Sequence, residues 1–329
     1  MDRDRIIGLL AGREGYLSGE EMSRSLGVTR AAVWKEITAL RQEGWPIESS
    51  TRLGYRLAGP PPALSAPVLS ALLPPDSLCS GRVRVADSVD STNTRLKALA
   101  AEGAAEGTVL LAEEQTAGRG TRGRSFQSPR GEGLYLSLLL RPKVPLADLF
   151  TLTGWVAVAV RDGIEAACGA PAQIKWLNDI WLNGRKLCGI LTELSLLGES
   201  GEPDYVVIGV GVNVSQSGET FRAQGLEGIA TSLDMEGYPA ERNRLAACLL
   251  SALERMYRAF PRERQGYLER YRKHCITLGR AVSFEERGTA QTGVALAVDE
   301  DFALVVSGKG GTRSVISSGT VSLLPAGKE

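Results

Sequence analysis

Gly118-Arg119-Gly120-Thr121-Arg122-Gly123-Arg124-Ser125-Phe126-Gln127-Ser128-Pro129 is the stretch on which the reading of the fold turns. Its first seven residues hold three glycines and three arginines, with the apolar runs GTVLLAEEQ (107–115) before it and GLYLSLLL (133–140) after it. Runs of that length, rich in Val and Leu, read as strands, so the arginine loop leads from one strand towards another. It is not a G-x-x-x-x-G-K-[ST] phosphate loop, and it is not a dinucleotide fingerprint, which has to open a helix. Glycines let successive backbone N–H groups turn towards one anion, and guanidinium groups match phosphate oxygens in pairs. On residue types alone a nucleotide phosphate, an RNA contact and a solvated surface loop all stay open.

Outward from the loop, further runs (RVRVADSV, QIKWL, LCGILTELSL, YVVIGVGVNV) alternate with helix-like stretches near 91–102, 147–168 and 240–274. That alternation predicts a central mixed α/β domain over 63–276. Prolines at 60, 61 and 62 mark its start, since they resist helix continuation and stiffen a linker. Beyond Leu278 short alternating runs broken by Gly, Asp and Lys predict a small antiparallel barrel over 277–329. The expected class is therefore an α+β multidomain protein.

Residues 1–62 read as a winged helix-turn-helix. Ser18 stands three residues before Glu21 as a capping pair, Gly27 supplies the turn, and a second helix starts near Thr29. That helix turns Ala32, Val33, Ile37 and Leu40 inward and Thr29, Arg30, Lys35 and Arg41 outward, and WPIESSTRLGYRL forms a hairpin wing with Arg52 and Arg56. Over residues 1–59 nine Lys/Arg face eight Asp/Glu, so placement rather than bulk charge would bring operator DNA. A protein-interaction module remains the alternative.

The chain of 329 residues has 38 basic and 38 acidic side chains, which excludes a uniformly basic surface. Five scattered cysteines without a CxxC pair, and one histidine, give no metal site and suit a reducing cytoplasm. No run suits a membrane span or a signal peptide, so a cytoplasmic protein is expected.

DSTN (90–93), EEQTAGRGTRGRSFQSP (113–129), GLYLS, KW-ND (175–179), GRKLCGIL (184–191) and GVGVNV (209–214), in this order, resemble the biotin protein ligases. With the winged helix in front, the whole chain is similar to the bifunctional ligase-repressors of bacteria. The resemblance implies a class II aminoacyl-tRNA-synthetase-like centre and an SH3-like C-terminal barrel. It implies that biotin and ATP, with Mg²⁺, give biotinyl-5′-AMP and pyrophosphate, and that biotin then passes to a lysine of a biotin carboxyl carrier protein. Two anions meet in the first step, so fixed cations are needed. The resemblance gives that task to Arg119 and Lys186, with Asp179 orienting the incoming amine, accepting its proton or holding Mg²⁺ through water.

For biotin it points to Ser91, Thr92, Asn93, Gln115, Gly118, Arg119, Lys186 and Gly189, of which the neutral hydroxyl and amide groups of Ser91, Thr92 and Gln115 suit a ureido ring. For ATP and the adenylate it points to Arg119, Gly120, Thr121, Arg122, Arg124, Phe126, Lys175, Asn178 and Asn213. Phe126 either stacks on adenine or packs beneath the loop, and Trp176 is core or site. Four features depart from the family pattern. Thr121 replaces an arginine, so that either the adenylate is held more loosely or Arg122 takes over; Leu177 replaces a proline; Thr320 replaces a glutamate; and 214–228, expected over the adenine, lacks a clear aromatic anchor. A homodimer promoted by the adenylate is implied, with a ligand-sensing regulator devoid of ligase activity, or a lipoate or octanoyl ligase, as alternatives.

Overall fold

The computed structural model describes residues 3–198, 201–286, 289–308 and 311–324. Parts of the expected C-terminal domain, 287–288, 309–310 and 325–329, thus lie outside the described residues. The N-terminal unit runs α1 (Arg3–Ala11), α2 (Gly19–Leu26), α3 (Arg30–Gln42), β1 (Ile47–Ser50) and β2 (Gly54–Leu57). Ser18 caps α2 by accepting the Glu21 N–H at 3.1 Å, Gly27 ends it with φ 68°, and Thr29 caps α3 through Ala32 N–H at 3.2 Å. Val33, Ile37 and Leu40 of α3 are buried with Ile6, Leu10 and Met22, and β1 pairs antiparallel with β2 as the wing.

The linker is firmly attached. Its helix α4 (Ala66–Leu72) places Val68 in the N-terminal core and Leu69 in the central one. Just before it the Leu64 N–H donates to Glu113 Oε1 at 2.6 Å and the Ser65 N–H to Asn243 Oδ1 at 2.8 Å.

The central unit continues with β3 (Val83–Val89), α5 (Thr92–Ala101), β4 (Val109–Gln115), β5 (Gly133–Leu140), α6 (Leu146–Leu149), α7 (Leu152–Cys168), β6 (Gln173–Lys175), β7 (Asp179–Leu182), β8 (Arg185–Leu197), β9 (Glu202–Asn213), α8 (Gly218–Ala223), α9 (Arg242–Ala259) and α10 (Arg264–His274). Its seven-stranded sheet has the order β3-β4-β5-β9-β8-β7-β6, parallel only between β3 and β4. Strand alternation decides the two faces. Leu134, Leu136, Leu138 and Leu140 of β5 join the large core with α7 and α9, while Leu139, Leu110 and Val207 meet Leu96 and Ala100 of α5 on the other side. β5 is consequently buried along its whole length.

β10 (Ala281–Glu286), β11 (Thr289–Val298), β12 (Leu304–Ser307), β13 (Arg313–Ile316) and β14 (Val321–Leu323) form an antiparallel sheet ordered β13-β12-β11-β10-β14. Among the described residues its two edge strands do not pair, so the sheet is open where a barrel is expected. It shares the central core: Phe302 fills the space at Gly154, where a Cβ would come within 2.2 Å of its ring, and its carbonyl accepts Trp176 Nε1–H at 2.8 Å. Trp176 is 3% exposed and serves as core at the domain junction, although its edge reaches the cleft below.

Candidate functional site

One cleft of about 870 Å³, counted with its open mouth, collects most of the singled-out residues. Its floor is where β8 and β9 pair Gly189 with Gly211. A Cβ at Gly211 would stand 2.5 Å from the Phe126 ring, and one at Gly209 only 2.3 Å from Asn93 Oδ1. Glycine here makes room for neighbours that shape the cleft. Phe126 therefore packs beneath the loop, its ring edge-on to Tyr135 with centroids 6.4 Å apart.

A neutral polar chain lines one end. Ser91 caps α5, and Gln115 Oε1 accepts from Thr92 N–H at 2.8 Å and from Thr92 Oγ1 at 3.1 Å. Gln115 Nε2 donates to Ser128 Oγ at 2.8 Å, while Ser137 Oγ lies 2.8 Å from Thr92 Oγ1 and 2.5 Å from Asn93 Oδ1. Asn93 is held from behind: its Nδ2 donates to Leu191 O and to Glu193 Oε2, at 3.2 and 2.8 Å. Glu193 in turn receives Lys97 Nζ at 2.6 Å. Burial opposes ionisation of Glu193, yet these donors and the nearby Arg119 hold its carboxyl below the usual carboxylate range. Ser128, Ser137 and Glu193 escape the sequence reading. Ser137 has a visible signal, as the one aliphatic hydroxyl in an otherwise largely apolar buried strand.

The other end is cationic. Among the lining residues Arg119, Arg124, Lys175 and Lys186 face a single carboxylate, Asp179, whose Oδ1 lies 2.7 Å from Lys186 Nζ. Burial, reinforced by Lys186 and Arg124 and opposed by Asp179, lowers the Lys175 ammonium from its ordinary value. Asn178 Nδ2 donates to Ile190 O at 2.7 Å and anchors the KW-ND turn to β8. Asp179 is already paired, and among the described residues no three acidic, His or Cys side chains gather for a metal. Among the described residues this donor set therefore offers no protein cage for a resident cation.

The arginine loop is a folded hairpin: Phe126 N–H donates to Gly118 O at 2.9 Å and Gly120 N–H to Arg124 O at 2.7 Å. Three expected site residues do not reach the cleft lining. A Cβ at Gly118 would collide with Phe126 O at 2.3 Å, so its glycine closes the hairpin. Arg122, in the left-handed region at φ 57°, turns its guanidinium to Gly319 instead of taking the place open at Thr121. Asn213 is 6% exposed and donates from Nδ2 to Thr231 O at 2.9 Å. The tip reaches the C-terminal sheet, where Arg124 Nη2 donates to Thr320 Oγ1 at 3.2 Å. Segment 214–228 forms α8 with Phe221 3% exposed as its anchor, which the sequence reading overlooked, and contributes nothing to the lining.

In the N-terminal unit, Arg30 and Arg52 line a groove between α3 and the wing, together with Arg41 and the 62% exposed Trp34. Lys35 is exposed on the same helix. Thr29 is engaged as a cap, and Arg56 pairs with Glu48 at 2.7 Å and lies 4.9 Å over Tyr16, so neither is as free as the sequence suggests. Trp34, which the helical periodicity of α3 assigns to neither its inward nor its outward set, adds an aromatic face to this groove.

The biotin/lipoate A/B protein ligase family matches residues 85–213 and a helix-turn-helix domain family matches residues 3–56. The chain is 36% identical to the bifunctional ligase/repressor BirA of Bacillus spizizenii, over 94% of each chain. It is 32% identical to that of Escherichia coli, over 93% of this chain and 92% of the other. The solved biotin protein ligase of Aquifex aeolicus in complex with biotin and ATP superposes with a TM-score of 0.63 at 26% identity, covering 75% of this chain and all of the other.

Proposed function

The chain belongs to the bifunctional ligase/repressors of the biotin/lipoate A/B protein ligase family, and on that premise we propose how its residues divide the work. It is a biotin ligase that uses ATP, with a DNA-binding repressor unit in front. The reading assigns domains at 1–62, 63–276 and 277–329, with a central unit like the class II aminoacyl-tRNA synthetases and an SH3-like third unit whose barrel would close through the edges of the five-stranded sheet.

One observation carries the chemistry: four cations surround the cleft's single carboxylate, next to a neutral hydrogen-bonding pocket. The pocket of Ser91, Thr92, Gln115 and the Asn93 amide, backed by the buried Ser137, suits a ring with one carbonyl and two N–H groups, because no buried charge would be left unpaired. Arg119 and Lys186 would then hold the biotin carboxylate beside the α-phosphate, and Lys175 and Arg124 the nucleotide phosphates. Placing fixed charge where charge develops contributes about 3–4 kcal/mol per well-placed donor. The acyl oxygen attacks phosphorus, pyrophosphate leaves, and biotinyl-5′-AMP remains. Asp179, on Lys186 in the free enzyme, is released when the anions draw Lys186 away, and can take the proton of the carrier lysine as its amine attacks the acyl carbon, the acyl–oxygen bond breaks and AMP leaves.

The repressor half uses the groove of Arg30, Trp34 and Arg52 against operator DNA. Dimerisation has an available surface, since from Thr192 to Leu196 no strand pairs with β8 on its β7 side among the described residues. Adenylate bound at Asn93 and Gly189 lies against the start of that edge, which would link ligand, dimer and DNA. No helix among the described residues is long and apolar enough to cross a membrane, and a cytoplasmic setting suits the free thiols.

Incubation with biotin, MgATP and a biotin carboxyl carrier domain, read by intact mass, tests the ligase. A gain of one biotinyl group is expected, and an unmodified acceptor alongside adenylate-dependent DNA retention would leave only the sensor.

A further inference from the structure

A carboxylate outside the cleft controls the chain around Lys186. Glu236 has a side chain only 5% exposed, and three groups donate to it: Thr231 Oγ1 at 2.5 Å, Asn183 Nδ2 at 2.6 Å and Arg185 Nη2 at 2.6 Å. Asn183 and Arg185 belong to the tight turn from β7 into β8, whose two central residues Asn183 and Gly184 both have positive φ, 49° and 79°. This is the Asn-Gly hairpin geometry, whose tip fixes the register of the strands it joins. Lys186 is the next residue.

Its backbone is also gripped from the Glu236 side. Lys186 N–H donates to Ile229 O and Thr231 N–H to Lys186 O, both at 2.9 Å, so 229–231 replaces β9 as the neighbour of β8 at this point. Asn213 Nδ2 holds the same segment through Thr231 O. Glu236 thus joins, by one buried group, the hairpin on one side of Lys186 and the strand-like segment on the other. Burial opposes its ionisation, but the hydrogen bonds from Thr231 and Asn183 and the Arg185 guanidinium keep it in the carboxylate form.

We propose that Glu236 is a positioning residue for the ligase reaction, which sets the aim of the Lys186 ammonium by clamping the Asn183–Arg185 turn to Thr231. This rests on the assignment of Lys186 to the adenylation step. A catalytic group displaced by a fraction of an ångström loses transition-state contact before it loses ground-state binding.

The test compares wild type, Glu236→Gln, Glu236→Ala, Lys186→Met and the Glu236→Gln/Lys186→Met pair. Biotin-dependent ATP–pyrophosphate exchange gives kcat and KM, and calorimetry gives the affinity of a non-hydrolysable biotinyl-sulfamoyl adenosine. Glu236→Gln, which keeps the volume but not the charge, is expected to lower kcat about tenfold with the biotin KM within about twofold. In the Lys186→Met background it should change analogue affinity less than about twofold, because the group it aims is gone. Unchanged kcat in Glu236→Gln overturns the proposal, as does an analogue-affinity loss in the double variant equal to the product of the single losses. If Glu236→Ala does not fold, Glu236→Gln carries the decision. Absence of exchange in wild type would instead refute the ligase assignment, a result distinguishable from either.

Discussion

The two ends of β8 are held in opposite ways. Around Lys186 the strand has β7 on one side and 229–231 on the other, with Asn213 and Glu236 behind, so that few degrees of freedom remain. From Thr192 to Leu196 its one strand partner among the described residues is β9, and Leu196 at that end is 45% exposed. One strand therefore carries a rigid end and an open end, which we propose serve chemistry and association. Preorganised charge has to be immobile to lower a barrier, whereas an edge that will meet another edge has to remain unpaired until it does.

The comparison fails most visibly if the rigid end does not matter. Lys186→Ala is expected to slow adenylate formation by a factor on the order of 10² to 10³, with the melting temperature nearly unchanged, measured by pyrophosphate exchange and calorimetry. Retained activity would move the chemistry elsewhere. At the junction of the two ends, Gly211→Ala forces a methyl into the Phe126 ring. An overpacking cost of about 1–3 kcal/mol should fall on ligand binding, raising the KM for biotin or ATP tenfold or more. Equal KM values would mean that Phe126 moves freely and that the floor is not a template.

At the open end, Leu196→Lys should weaken ligand-dependent dimerisation about tenfold in sedimentation equilibrium, since charge on an edge opposes pairing. The pyrophosphate exchange rate should stay the same, and a fall in both would show that the ends are not separable. The smallest expected effect concerns Lys175. Burial lowers its pKa, so with rising pH the ammonium loses its proton earlier than an ordinary lysine, and ATP use should begin to decline there. Lys175→Arg, which stays charged, should move that alkaline limb upward, with about a two- to threefold gain near its midpoint. Coincident pH profiles would remove Lys175 from the phosphate site.

Much of this was legible in advance because local chemistry is periodic or punctuated. The Ser18 and Thr29 caps, the Gly27 turn and the alternation in β5 each depend on a few neighbouring residues. Arg119, Lys186, Asp179, Thr92 and Gln115 could be picked out by motif order, and the fold brings them into one cleft. Asn213 and Arg122 show the limit: both sit in the right motifs, yet one amide faces Thr231 and one guanidinium faces Gly319, because a motif gives position along the chain and not the direction of a side chain. The barrel expected after Leu278 is a strand pattern that alternation supports, while its closure depends on edge pairing that alternation does not encode.

By itself the sequence determined the two helices and wing of the N-terminal unit, the main apolar strands and the long helical stretches, but not the short helices α1, α4 and α8 or the break between α9 and α10. It also determined that a DNA-reading unit precedes a cationic cleft, and which residue types meet the two anions. Only the tertiary structure decided which of them face the cleft, that Glu193 and Ser137 support its neutral end, and that Glu236 stands behind Lys186 from 50 residues further along the chain. The physical reason is range: caps, turns and strand periods are set by bonds between near neighbours, whereas hydrogen bonds across a sheet join residues whose separation in sequence carries no trace of the contact.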